Sequence, residues 1–73
     1  MKTLRQVKAG ETAVVKELHT EGAVKYRMMD MGLNKGTEVT VKNPSPLGDP
    51  VEVSVKGCRI FLRKADMKKI EVE

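Results

Sequence analysis

The chain has 73 residues, 40% of them hydrophobic and 33% charged, and fourteen lysines and arginines against ten acids leave a net charge of +4. That length sets one domain, 1–73, with a thin core, because so small a chain buries only about 60% of the surface it exposes when unfolded. The composition excludes a disordered segment, no apolar run approaches the roughly 20 residues of a membrane-spanning helix, and a lone cysteine, Cys58, excludes an internal disulfide.

From the start of the chain, Leu4 and Val7 are spaced for one helical turn that would cap the open end of a small barrel. The run TAVVKEL, residues 12–18, has strand periodicity, although its middle is apolar on both faces. A helix follows, with Val24, Met28 and Met31 at i, i+4 and i+7 forming an apolar stripe. Thr20 is its expected N-cap, with Glu21 in the first turn. Gly32 ends it in the left-handed conformation and Leu33 folds back toward Met28. Asn34-Lys35-Gly36 then turns into a second strand, 37–42, whose Val39 and Val41 face inward.

Residues 43–50, with three prolines, are expected to form a long loop. The third strand alternates Val51, Val53 and Val55 inward with Glu52, Ser54 and Lys56 outward. The fourth, CRIFLR, puts Cys58, Ile60 and Leu62 on one face and Arg59, Phe61 and Arg63 on the other. A short helical turn is expected over residues 64–69, and IEVE supplies a fifth strand through Ile70 and Val72. Five short strands separated by turns predict an all-β fold with short helices, a small closed barrel that leaves few free edges.

The chemistry on offer is sparse. His19, at the end of the first strand, is the chain's one histidine and is expected to be solvated; no serine or cysteine has a base and orienting acid beside it, and no phosphate-binding or zinc-protease motif occurs. The protein is expected not to be an enzyme. Met28, Met29, Met31, His19, Cys58 and Asp49 are potential metal donors, but Met28 and Met31 belong to the apolar stripe and Cys58 alternates with Ile60 and Leu62, so these are expected in the core. Two aromatic residues, Tyr26 and Phe61, make a poor platform for stacked bases, and no nucleic-acid partner is expected. Phe61, flanked by Arg59 and Arg63, is expected to lie under a neighbouring helix. The basic residues are scattered, with only Lys64, Lys68 and Lys69 approaching a cluster, which suits a solvated surface. Without an apolar leader the protein is expected inside the cell.

The loop SPLGDP, residues 45–50, has two readings. Its prolines fix φ and let it hold one shape without burial, Asp49 is placed to close an Asx-type turn on the backbone, and Pro50 starts a strand. Leu47 at the tip either folds onto the barrel mouth or is offered to a partner.

Arg27-Met28, Met31-Gly32-Leu33, Gly36, the run Ser45 to Pro50, then Val53, Val55, Gly57, Ile60, Leu62-Arg63 and Ile70 together resemble the FeoA family over nearly the whole chain. The resemblance implies an SH3-like barrel with a helical insertion after the first strand, and an accessory, non-enzymatic role in bacterial ferrous iron uptake. It implies a cytoplasmic protein, recruited to the inner face of the membrane without inserting, that docks on the cytoplasmic, GTPase-containing part of a FeoB-type permease. Neither a cofactor nor a metal ligand nor a catalytic residue follows from it. The expected partner-binding residues are Pro46, Leu47, Gly48, Asp49 and Pro50 of the loop with Arg27, Arg59 and Arg63. The alternative is a transition-metal-binding or metal-sensing module, since similar domains end metal-dependent repressors.

Overall fold

The computed structural model describes residues 1–44 and 48–73, with the side chain of Pro44 left out. After a 3-10 turn at Leu4–Gln6 come β1 (Thr12–Leu18), α1 (Gly22–Asp30), β2 (Glu38–Pro44), β3 (Val51–Val55), β4 (Cys58–Leu62), α2 (Lys64–Met67) and β5 (Ile70–Val72). The five strands form one antiparallel sheet in the order β4-β3-β2-β1-β5, with α1 inserted between the first two strands.

Alternation explains the sheet's inner face. Val39 and Val41 of β2 and Val51, Val53 and Val55 of β3 are all buried, each contributing about 1.5–3 kcal/mol relative to exposure. The double-sided apolar run of β1 has a separate cause. Its register against β5 shifts between Val15 and Glu17, so Lys16 is an extra residue. The bulge reverses the inward phase, and Ala13, Val15 and then Leu18 all reach the core. Val14, which falls on the other face, is half-buried.

α1 carries the expected stripe: Met28 is buried, and Val24 and Met31 pack against the core. Its C-terminus is a Schellman motif, in which the Leu33 N–H donates to the Met28 carbonyl at 3.0 Å and the Gly32 N–H to that of Met29, also at 3.0 Å. Gly32 has φ +94, and Leu33 is fully buried. The N-terminus differs from expectation, since Glu21, not Thr20, is the N-cap and makes no side-chain cap bond. Gly22 opens the helix with a positive φ, which moves the start of the helix one residue on.

The sheet is not the closed barrel expected from the strand count, because β4 and β5 are both edges in the strand order. α2 intervenes between them, the N-terminal segment pairs with the outer side of β5 only through a bridge of Thr3 with Glu71, and buried Met67 with Leu4 and Val7 from the 3-10 turn and its end fills that side of the core. Two further departures lie on β4. Cys58 is exposed and Ile60 only half-buried, and Phe61 is 56% exposed, with no helix among the described residues over it. Alternation in the sequence separates two faces of a strand but does not say whether a second layer covers either.

Candidate functional site

Among the expected partner-binding residues, Pro46 and Leu47 lie outside the described residues. The described end of the loop is fixed to α2. Asp49 Oδ1 accepts the backbone N–H of Lys64 at 2.9 Å, so the carboxylate caps a helix start 15 residues away and does not form the local Asx turn expected of it. Lys64 opens a single-turn helix that has no side-chain cap from its own N-cap residue, Arg63. Gly48, at φ +84, lies so close that a Cβ there would be 3.2 Å from Lys64 Nζ. Gly48, Asp49, exposed Pro50 and Arg63 therefore meet at the end of the β3–β4 ladder where Val51 pairs with Leu62.

Arg59 and Arg63 share the outer face of the chain along β4, about 13 Å apart by strand rise, with Phe61 between them. The Arg59 side chain is 69% exposed, and its Nε lies 4.0 Å from a Glu52 carboxylate oxygen, an exposed pair of little energetic weight. Arg27 lies toward the opposite end of the ladder from Arg63. It sits in the last turn of α1, where a cation complements the helix dipole, and Gly32 just beyond packs against Val55 at the hairpin end of β3, away from Asp49.

Three features escaped the sequence. First, a cleft of about 280 Å³ opens beside α2, with Val7, Val41, Val51 and Met67 inside and Arg5, Lys8 and Lys64 among its lining. Next, Tyr26 and Met29, 68% and 41% exposed, form an apolar pair at i, i+3 on the outer side of α1. Last, His19 is engaged and not merely solvated: its Nε2 donates to Glu71 Oε1 at 2.6 Å, and Lys16 Nζ lies 3.7 Å from the other oxygen. The hydrogen bond from His19 holds the Glu71 carboxyl below its ordinary value of 4.5, outweighing desolvation, which raises it, and Lys16 adds a lesser lowering effect. His19 and Glu71 are 52 residues apart, and only the pairing of β1 with β5 signals their meeting.

The residues expected as potential metal donors are dispersed among the described elements. Met28 is in the core, His19 is bonded to Glu71, Asp49 is bonded to Lys64, and Cys58 stands at the β3–β4 hairpin. Among the described residues no three His, Cys, Asp or Glu side chains converge.

Comparison with known proteins covers the whole arrangement. The sequence model of the FeoA domain matches residues 2–73. The Fe(2+) transport protein A/Fe(2+) transporter FeoB fusion protein of Porphyromonas gingivalis is 34% identical over 70 residues, which is 96% of this chain but 8% of that protein. The solution structure of the FeoA protein of Chlorobium tepidum superposes with a TM-score of 0.90 at 38% identity, covering 97% of this chain and 68% of that one. The zinc-complexed FeoA of Stenotrophomonas maltophilia, a prokaryotic SH3-domain protein, gives 0.81 at 31% identity, covering 100% and 91%. The five strands with a helix between the first two are thus an SH3-like fold.

Proposed function

Since the chain belongs to the FeoA family, whose members serve ferrous iron transport, we propose that it is a non-enzymatic accessory protein docking on the cytoplasmic part of a FeoB-type permease. The observation that carries this reading is the P. gingivalis relative, in which a segment similar to nearly all of this chain and a FeoB transporter are one polypeptide. A covalent linker raises the effective concentration of one module at the other, and a separate chain achieves the same result through a docking surface. The protein would then work in the cytoplasm and be recruited to the inner membrane face through its partner, without a span of its own; no helix among the described residues is long and apolar enough to cross a membrane.

The docking surface we assign is the loop, residues 46–50, with Arg63 beside it and Arg59 along β4. Leu47 would be its apolar anchor and the arginines its contacts for acidic groups. Arg27 is a separate contact at the other end of the ladder. A mixture of the purified protein with the isolated cytoplasmic domain of the permease tests the assignment: Leu47→Asp should weaken binding at least tenfold at unchanged melting temperature. Unchanged affinity would reject the loop as the anchor.

A further inference from the structure

β4 stands at the end of the strand order. The β3–β4 hairpin closes through the two residues Lys56 and Gly57, at φ +53 and +81, with Val55 opposite Cys58. In such a hairpin the closing pair is directly hydrogen-bonded and bonding alternates from there, so Val53–Ile60 and Val51–Leu62 are bonded pairs. Arg59 and Phe61, opposite Ser54 and Glu52, therefore point their N–H and C=O groups away from β3. Among the described residues neither makes a backbone hydrogen bond outside the ladder, whereas the Arg63 carbonyl is taken by the N–H groups of Asp66 and Met67.

Proteins usually blunt such an edge with charged side chains, a bulge, a proline or a covering element, and of these, among the described residues, β4 has only the charges of Arg59 and, just past its end, Arg63. The register of β4 runs unbroken from Cys58 to Leu62, the strand has no proline, and its outer face exposes Phe61. We propose that this edge is a strand-addition site for an extended partner segment with an apolar residue flanked by two acids at i−2 and i+2. Two donors and two acceptors from Arg59 and Phe61 would bind its backbone; the apolar side chain would lie on Phe61, and the acids would meet Arg59 and Arg63. Charge selects the occupant. An antiparallel pairing of two copies centred on Phe61 sets Arg59 opposite Arg63 twice, two like-charge pairs that disfavour it. The weak contact of Arg59 with Glu52 is readily exchanged for a partner's carboxylate. The inference rests on reading the chain as a docking module, not on which protein it docks to.

A blocked heptapeptide with glutamate at its second and sixth positions and valine between them is the probe, with a lysine counterpart as control, followed by amide hydrogen exchange in the intact protein. In the free protein the Arg59 and Phe61 amides should exchange at least about tenfold faster than those of Ile60 and Leu62. Millimolar glutamate peptide should slow them several-fold and the lysine peptide should not, while the double variant Arg59→Glu, Arg63→Glu should reverse that preference. Protection of these two amides in the free protein, equal slowing by both peptides, or no slowing would overturn the proposal. So would protection that disappears on dilution, which would make a second copy the occupant. Binding of the permease domain with the peptide inert would overturn the strand-addition site alone and leave the docking role standing.

Discussion

Asp49 caps the helix that begins at Lys64: one carboxylate oxygen accepts the Lys64 N–H at 2.9 Å and joins the end of the proline-rich loop to α2. A helix of four residues cannot satisfy its own first N–H groups, so this bond supports both elements at once. Asp49→Ala should cost about 1 kcal/mol, the usual value of an N-cap side chain, and Asp49→Asn should retain most of the stability through its amide oxygen. Urea unfolding of the two variants beside the parent checks the order; no loss in Asp49→Ala would mean that the capping bond contributes nothing.

Gly32 is constrained twice, by φ +94 and by Val55 Cγ1 at 3.2 Å from where a Cβ would stand. Gly36 has φ +90 but nothing within 4 Å. Gly36→Ala should therefore cost about 1–2 kcal/mol for left-handed backbone alone, and Gly32→Ala more, because Val55 must also move. Thermal unfolding of both variants would reveal an additional loss confined to Gly32.

At the opposite side of the sheet, Glu71 accepts from His19 and lies near Lys16. Its carboxyl is held below 4.5 when folded, so the unfolded chain binds the proton more readily there. The resulting stability is fully present above pH 4.5 and is lost as pH falls through the lowered folded value. In a carboxyl-resolved NMR titration Glu71 should titrate below 4.5, and His19→Ala should move it up toward that value. An unmoved midpoint in the variant would remove His19 as the main cause.

Much of this fold is legible in the sequence where one face of an element is buried. Val51, Val53 and Val55 alternate into the core, and Met28, Gly32 and Leu33 spell out a helix end whose hydrogen bonds the structure contains. Legibility fails where a tertiary partner decides. The bulge at Lys16 is set by pairing with β5, Cys58 is exposed at the hairpin end of an edge strand, and Phe61 is exposed on a face that no described element covers, all properties of tertiary arrangement and not of local pattern. For the candidate site, proline and aspartate in SPLGDP mark a turn-rich segment, but the residue that Asp49 bonds lies beyond any local window, and Arg27 precedes a helix end that packs at the hairpin end of the β3–β4 ladder, a strand's length from Arg63.

Electrostatics should show in the docking itself. If Arg59 and Arg63 meet acidic groups of the permease domain, the double variant Arg59→Glu, Arg63→Glu should lose at least tenfold in affinity, and the parent's affinity should fall with added salt. Arg27→Glu, at the far end of the ladder, should cost less. Isothermal titration at two ionic strengths separates these cases, and a salt-independent affinity would exclude the arginines as contacts.

The most direct measurement is a residue-resolved NMR titration of this protein with the isolated cytoplasmic domain of a FeoB-type permease, and separately with Fe(II). The docking account predicts shifts centred on Gly48, Asp49, Arg59, Phe61 and Arg63 with the domain and none there with metal alone. An unchanged spectrum with the domain would contradict it, and a response to Fe(II) alone would turn the assignment toward metal binding.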